Sequence, residues 1–272
     1  MKSAEKIGLL KLDVLGLRTV TVIHHAEQAI RNRDPEFSIE AIPMDDPETL
    51  QTIGSGETTA VFQLESTGMR EALKKIGVSS LDDVTAAVAI YRPGSMHMID
   101  HYGENKDKAS RGEKIQYLHP ALEEVLGATF GVIIYQEQVM RIAGVLAGMS
   151  MAEADNLRRA MSKKIASKMA VMKDVFLKGT GEKGIGKRKA LEIWDLIKKF
   201  AEYGFNKSHA VCYAIIAYRT AYLKTHFPAE FMAAVLTSEI GTVSKLRALV
   251  QEAIRLGVDV KPPSVNCSDA RF

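Results

Sequence analysis

The 272-residue sequence predicts a mainly α-helical, multi-helix domain with a few short strands, one of them at the N-terminus. Three observations carry that prediction. Apolar residues recur at helical spacing over most of the chain, capping residues punctuate those stretches, and runs of strict alternation are few and short. An apolar fraction of 46% with 25% charged residues is that of an ordinary globular protein, and no low-complexity tract interrupts it.

Residues 8–17 alternate, with Leu10, Leu12 and Val14 on one face and Lys11 and Asp13 on the other, which predicts a short strand. The Lys and Asp admit two readings, a metal carboxylate beside a phosphate-binding lysine or a surface ion pair. Gly16 lets the chain turn into a helix over about residues 18–31. Residues 43–47 form a turn-rich break, after which 49–53 read as a short helix and 58–64 as a strand. Ser66 or Thr67 caps a helix with Met69, Ala72, Leu73 and Ile76 on one stripe and Gly77 at its end. Ser80 and Asp83 form a capping-box pattern before a helix that stops at Arg92-Pro93-Gly94. The polar residues 103–112 read as an exposed loop. His97 and His101 stand at i, i+4, as paired metal ligands do on a helix, but no further ligand lies nearby in the sequence and no metal is predicted there.

Residues 132–135 are apolar, and the next helix turns Val139, Met140, Ala143 and Leu146 inward before Gly148 ends it. Ser150 and Glu153 make a second capping box, for a helix carrying Leu157, Arg158, Arg159, Ser162, Lys163 and Lys164. Arg159 and Lys163 are neighbours on one face, so their charges repel unless an anion sits between them; a solvated basic face is the other reading. A helix over 166–178 faces Met169, Met172 and Phe176 inward. Residues 179–184 carry the G-x-G-x-x-G spacing, but a helix rather than a strand precedes them. Arg188 stands where a P-loop needs Ser or Thr, so this segment reads as a flexible basic loop.

A helix over 187–203 turns Ile193, Ile197 and Phe200 inward. In the next, Val211, Ile215, Tyr218 and Tyr222 form the expected buried stripe, with Ser208 as the expected N-cap. Asn206, Lys207, Ser208 and His209 then gather an ammonium, a hydroxyl and an imidazole at a helix N-terminus, where unpaired N–H groups already favour an anion. That suits a phosphate, with an ordinary capped helix as the alternative. Pro228 fits the first turn of another helix, and Leu246, Leu249, Val250 and Ile254 define the last one before Gly257. Residues 258–261 read as a strand. The end of the chain, with no terminal element, reads as the edge of something longer.

Charge narrows the class of partner. The formal net charge is +3, yet residues 158–207 hold 14 Lys and Arg against 5 Asp and Glu, which is +9 and leaves −6 for the remainder. Such a concentration points to a polyanion. Only two cysteines, Cys212 and Cys267, are present, which argues against a disulfide framework or thiolate zinc site and suits a reducing cytoplasm. No signal-peptide pattern or membrane-length apolar run is found, so no membrane partner is expected.

Several runs together resemble the C family of bacterial replicative DNA polymerases, the family of DNA polymerase III alpha subunits. They are Lys-Leu-Asp-Val-Leu-Gly-Leu-Arg-Thr from Lys11, Gly-Glu-Thr-Thr-Ala-Val-Phe-Gln-Leu-Glu-Ser from Gly56, Tyr-Arg-Pro-Gly from Tyr91, Tyr-Gln-Glu-Gln-Val-Met from Tyr135, Leu-Arg-Arg-Ala-Met from Leu157 and Tyr-Gly-Phe-Asn-Lys-Ser-His-Ala from Tyr203. The resemblance implies the end of a palm over residues 1–17, fingers over 18–263 and the start of a linker over 264–272. It implies that Asp13 is the third palm aspartate, catalytic and a ligand of a two-Mg2+ site of which this chain holds one ligand, with Lys11 beside it. Arg158 and Arg159 then meet the triphosphate of an incoming dNTP, and Asn206, Lys207, Ser208 and His209 flank the nascent base pair. Arg92, Lys163 and Lys164 are expected on primer–template DNA. The implied partners are that DNA, the dNTP, a palm and thumb outside this chain, and a sliding clamp and other replicase subunits reached through other regions. The alternative reading is a non-catalytic helical module that binds nucleic-acid phosphates through its basic stretch.

Overall fold

The computed structural model describes residues 7–10, 12, 14–162, 165–200, 203–266, 268 and 270–272. It is mainly α, as expected: thirteen α-helices and two 3-10 turns among the described residues, and no strand ladder. The chain divides into two compact units, Ile42–His226 and Met1–Ala41 with Phe227–Phe272. Among the described residues no helix is long and apolar enough to cross a membrane.

In the smaller unit, α1 (Arg18–Arg31) packs on a helix from Pro228 to Ser238, which in turn meets one from Val243 to Arg255. Pro228 opens its helix, as its fixed φ and missing N–H predict. Ala26 and Ile30 of α1 and Phe231 and Met232 of its neighbour are fully buried, and each large apolar side chain contributes about 1.5–3 kcal/mol. Glu27 fixes the chain after α1 by accepting from Arg31 (3.0 Å) and from the Ile39 N–H (3.1 Å).

The larger unit has two helical groups. The first holds α2 (Pro47–Gly54), α3 (Thr67–Ile76), α4 (Leu81–Ile90) and α5 (Met98–Ser110). Ser66 caps α3 by accepting from Met69 N–H at 3.3 Å, and Gly77 ends it at φ 62°, both as predicted. The second holds α6 (Glu123–Leu126) between two 3-10 turns, then α7 (Gln136–Ala147), α8 (Met151–Ser162), α9 (Ala166–Glu182) and α10 (Lys187–Phe200) around one apolar cluster. The Ser150 and Glu153 box closes in both directions, at 2.8 and 3.3 Å. Helix α11 (Lys207–His226) packs along α4 and α2, and the two helices of the smaller unit named above are α12 (Pro228–Ser238) and α13 (Val243–Arg255).

The structure departs from the sequence reading at several places. The described residues among 8–17 form no strand, and Leu10, Leu12 and Val14 are exposed at 84, 78 and 98%. Their alternation is real, but a strand exists only through backbone pairing with a neighbour, and no such pairing is found among the described residues. Lys11 and Asp13 lie outside the described residues. Residues 58–64 are turns, with positive φ at Ala60 and Gln63 and the Thr58 hydroxyl donating to Leu64 C=O at 2.6 Å. Residues 258–261 form no strand, and Val258 N–H donates back to Ala253 C=O at 3.0 Å. The polar residues 103–110 are helical, because Ile99, Tyr102 and Gly103 bury one narrow face; a Cβ on Gly103 would lie 2.2 Å from the Lys75 carbonyl. Helix α9 continues through Gly179 and Gly181 to Glu182 where a loop was expected, because Gly179 packs directly on the Ala147 carbonyl. In α11 the buried stripe is Ala210, Ala214, Ala217 and Ala221 with Tyr218, whereas Val211, Ile215 and Tyr222 are half-buried. Small residues let α11 approach α4 closely, and that close approach outweighs the larger apolar side chains beside them.

Candidate functional site

The backbone first brings two separate sequence stretches together. Phe205 N–H donates to Ile134 C=O (3.3 Å) and Gln136 N–H to Phe205 C=O (2.9 Å), an isolated parallel bridge between Tyr135 and Phe205. Each bridged segment runs at once into a helix, so the N-termini of α7 and α11 both start beside this bridge. Two positive dipole ends therefore share one locus.

Side chains then tie this locus to α8. Gln136 Nε2 donates to Gly204 C=O at 3.0 Å, and its Oε1 accepts from Arg158 Nη1 at 3.4 Å. Arg158 also donates through Nε and Nη2 to Asp155 Oδ1 (2.8 and 2.7 Å), while Arg159 Nε reaches Asp155 Oδ2 at 2.7 Å. Asp155, three and four residues back on the same helix, is thus the carboxylate that both arginines share, while Lys163, the expected neighbour of Arg159, lies outside the described residues. Hydrogen bonding from Arg158 holds its carboxyl below the usual aspartate range. Arg159 is the more exposed of the two arginines, at 65% against 33%.

At the start of α11 the N-cap is Asn206, not Ser208: its Oδ1 accepts from His209 N–H at 2.9 Å. Asn caps as well as Ser does, and the turn at Gly204 and Phe205 delivers the chain to the helix two residues earlier than expected. Glu137 covers the same terminus, its carboxylate accepting from Lys207 N–H with both oxygens at 3.1 Å and from Asn206 Nδ2 at 3.1 Å. Lys207 Nζ lies 5.5 Å from the centre of the Tyr135 ring. Burial pushes the Tyr135 phenol well up, so it stays neutral. At the start of α11 the rings of half-buried Phe205, exposed His209 and half-buried Tyr213 follow one another, with ring centres 5.4 and 4.2 Å apart.

Arg92 lies half-buried beneath this loop. Its guanidinium stacks 4.1 Å from the Phe205 ring, and it donates to Tyr203 C=O (2.8 Å) and Ala89 C=O (3.0 Å). Lys163 and Lys164, like Lys11 and Asp13, lie outside the described residues. Gln136, Glu137 and Asp155 went unread in the sequence. Asp155 carried a signal, since an Asp three and four residues before two arginines pairs with both on a helix. Glu137 carried none, because its partner lies 70 residues away.

A family model described as bacterial DNA polymerase III alpha subunit finger domain matches residues 19–184, more than half of the chain. The chain belongs to that family. Curated relatives agree along its whole length. It is 47% identical over 272 residues to a DNA polymerase III subunit alpha of Borreliella burgdorferi, covering 100% of this chain and 24% of the relative. Haemophilus influenzae has a relative of the same name at 45% identity (98% and 24% covered), and Escherichia coli K12 one at 44% (96% and 23%). The chain spans about a quarter of the length of the curated relatives it matches.

Metal ligands are a separate matter: no group of three or more His, Cys, Asp or Glu converges among the described residues. His97 and His101 are both exposed at the start of α5, without a third ligand. A two-metal site needs several converging carboxylates, so the donors described in this chain do not fit one.

Proposed function

We propose that this chain is the fingers of a cytoplasmic, DNA-directed replicative DNA polymerase, and that the paired N-termini of α7 and α11 with Arg158 and Arg159 receive the triphosphate of the incoming dNTP. The observation that carries this is the bridge at Tyr135 and Phe205, which joins two donor groups lying about fifty residues apart in sequence through Gln136 and Glu137. Arginine offers forked donors to phosphate oxygens, and helix termini offer N–H groups fixed beforehand. Asp155 and Glu137 hold those donors in place until a phosphate exchanges with them. Arg159, the exposed arginine, makes that exchange, while Arg158 orients Gln136 and the loop.

His209, stacked between Phe205 and Tyr213, borders the nascent base pair in this reading, with Asn206 and Ser208 beside it. Arg92 acts on DNA through the loop it supports. Lys163 and Lys164 meet the primer–template backbone in this reading. Asp13 and Lys11 belong with a palm over residues 1–17, ahead of fingers over 18–263 and a linker over 264–272. The rest of the palm, the thumb, the sliding clamp and other replicase subunits are the remaining partners.

Titration of a fluorescent deoxynucleoside triphosphate into the chain tests the site. Arg159→Ala and Lys207→Ala are each expected to weaken binding roughly tenfold, as loss of one charged hydrogen bond does. Undiminished binding in both variants would show that the nucleotide sits elsewhere. The +9 excess over residues 158–207 also supports the second reading, a module that binds nucleic-acid phosphates without catalysis, and that reading predicts no binding of the free nucleotide.

A further inference from the structure

Of the runs that carry the family resemblance, only the one from Gly56 to Ser66 supplies nothing to the proposed site. Its residues 58–64 form turns, and the Phe62 ring among them lies against Tyr213 of α11. We propose that this segment is a buttress: it holds Phe62 against Tyr213, Tyr213 fixes the His209 imidazole, and Phe62 is thereby a positioning residue for the nascent base pair. The link to the base pair rests on the nucleotide reading above; the link from Phe62 to His209 does not.

The segment is tied down from several sides. Phe62 N–H donates to Thr220 Oγ1 at 3.1 Å, and the buried Lys224 Nζ donates to Glu57 C=O (2.6 Å) and Thr59 C=O (3.0 Å). Arg70 Nη2 donates to Thr59 Oγ1 at 2.8 Å, and Thr58 Oγ1 to Leu64 C=O at 2.6 Å. Ala60 and Gln63, on either side of Phe62, take left-handed φ values of 64 and 62°. Such a conformation costs free energy in a residue with a Cβ and persists only where the surroundings over-determine it. Core packing accounts for Val61 and Leu64, both at 0% exposure, whereas the half-buried Phe62 ring is directed to Tyr213, 5.3 Å away between ring centres.

One face of α11 connects the anchor to the site. His209, Tyr213, Thr220 and Lys224 stand at i, i+4, i+11 and i+15, so the buried end of that face holds the segment and its exposed end carries the imidazole. From Phe62 the ring centres run to Tyr213, His209 and Phe205 at steps of 5.3, 4.2 and 5.4 Å, and the Arg92 guanidinium closes the row 4.1 Å from the Phe205 ring. Arg92 is itself fixed by the Tyr203 and Ala89 carbonyls. Both ends of the row are thus tied to backbone, which leaves the imidazole between them little freedom. A group fixed in advance loses little entropy when it meets its partner, and a small displacement of a positioning group already costs rate.

Two measurements test the two links separately. In the full chain labelled at histidine, heteronuclear NMR follows the His209 imidazole signals, assigned by their loss in His209→Ala. Phe62→Ala is expected to shift and broaden them, as Tyr213→Ala does, while leaving those of His24 and His119 in place; Phe62→Tyr, which keeps the ring, should retain the wild-type spectrum. Should Phe62→Ala not fold by circular dichroism, Phe62→Leu, which keeps apolar cover at this half-buried position, serves the same comparison. His209 signals unmoved in the folded variant overturn the proposal. In a full-length polymerase carrying this segment, single-nucleotide incorporation gives the ratio of kcat/KM for a matched over a mismatched nucleotide. Phe62→Ala is expected to lower that ratio roughly tenfold, mainly through kcat for the matched nucleotide, as misplacement of a positioning group does. With His209→Ala already in place, Phe62→Ala should cost nothing further, because the two residues act as a unit. Additive losses overturn the proposal. Displaced His209 signals with a ratio unchanged in both Phe62→Ala and His209→Ala support the buttress and instead remove His209 from the base pair.

Discussion

Asp83 shows how one residue can organise a helix junction and how its charge can be tested. It is 2% exposed and accepts from Ser79 N–H (2.9 Å), Ser80 Oγ (2.9 Å), Tyr102 OH (3.0 Å) and Lys106 Nζ (2.7 Å). Burial alone raises its pKa, but these bonds, led by Lys106, outweigh burial and hold it below the usual value. A depressed folded pKa contributes stability that is present above the unfolded pKa, about 3.9, and is lost as pH falls through the folded one. Lys106→Met removes the leading cause and leaves a buried carboxylate, with an expected cost of about 3 kcal/mol at neutral pH. Burial then dominates, so the variant's Asp83 pKa rises and the cost shrinks as the solution is acidified. Urea midpoints of both proteins across pH check this, and a gap that widens toward acid contradicts it. In a full-length polymerase carrying this segment, Arg159→Ala is expected to raise the nucleotide KM or lower kcat ten- to a hundred-fold, because a charged contact is worth about 1.5–3 kcal/mol. Steady-state incorporation of one nucleotide measures it, and DNA affinity should stay unchanged. The sequence displayed Ser80 and Asp83 as a cap, yet Lys106 and Tyr102 as partners were invisible there, since Lys106 falls in a stretch that composition alone reads as a loop and Tyr102 lies 19 residues away.

Elements were legible where a local rule decides them and illegible where packing does. Ser66, Ser150, Gly77, Gly148 and Pro228 mark helix ends in the structure as in the sequence, because caps act within a few residues. Helix α9 is the opposite case. Two glycines argue for a loop, but Gly179 permits a contact with α7 that any side chain forbids: a Cβ would lie 1.9 Å from the Ala147 carbonyl. Gly179→Ala is therefore expected to destabilise the protein by about 1–3 kcal/mol, although Ala favours a helix by about 1 kcal/mol. Gly181 has nothing within 4 Å of that position, so Gly181→Ala should stabilise by about 0.5–1 kcal/mol. Opposite shifts in the denaturation midpoint from two glycines in one helix separate packing from propensity. Shifts of the same sign would mean that α9 does not approach α7 this closely.

At the scale of the whole molecule, the sequence made the charge distribution plain and left its geometry unstated. The excess of +9 over residues 158–207 spans α8 to the start of α11, and the proposed nucleotide site draws on both of its ends because the chain pairs with residues 134–136 at Phe205. No periodicity encodes that return, since a single backbone bridge carries it. The same distribution bears on what the chain does alone. Phosphate-dominated binding predicts that it holds primer–template DNA at low salt and releases it steeply as salt rises. Phosphoryl transfer asks for more, because in-line attack needs metal ions to stabilise both the attacking and the leaving oxygens. No group of three or more metal-ligating side chains converges among the described residues, and Asp13 is one candidate carboxylate outside them. The purified chain is therefore expected to shift primer–template in a binding assay and yet to add no nucleotide at any magnesium concentration. Magnesium-dependent extension by homogeneous material would mean that Asp13 finds its partner ligands within this chain. Release of DNA unaffected by salt would instead remove the basic stretch from the interface.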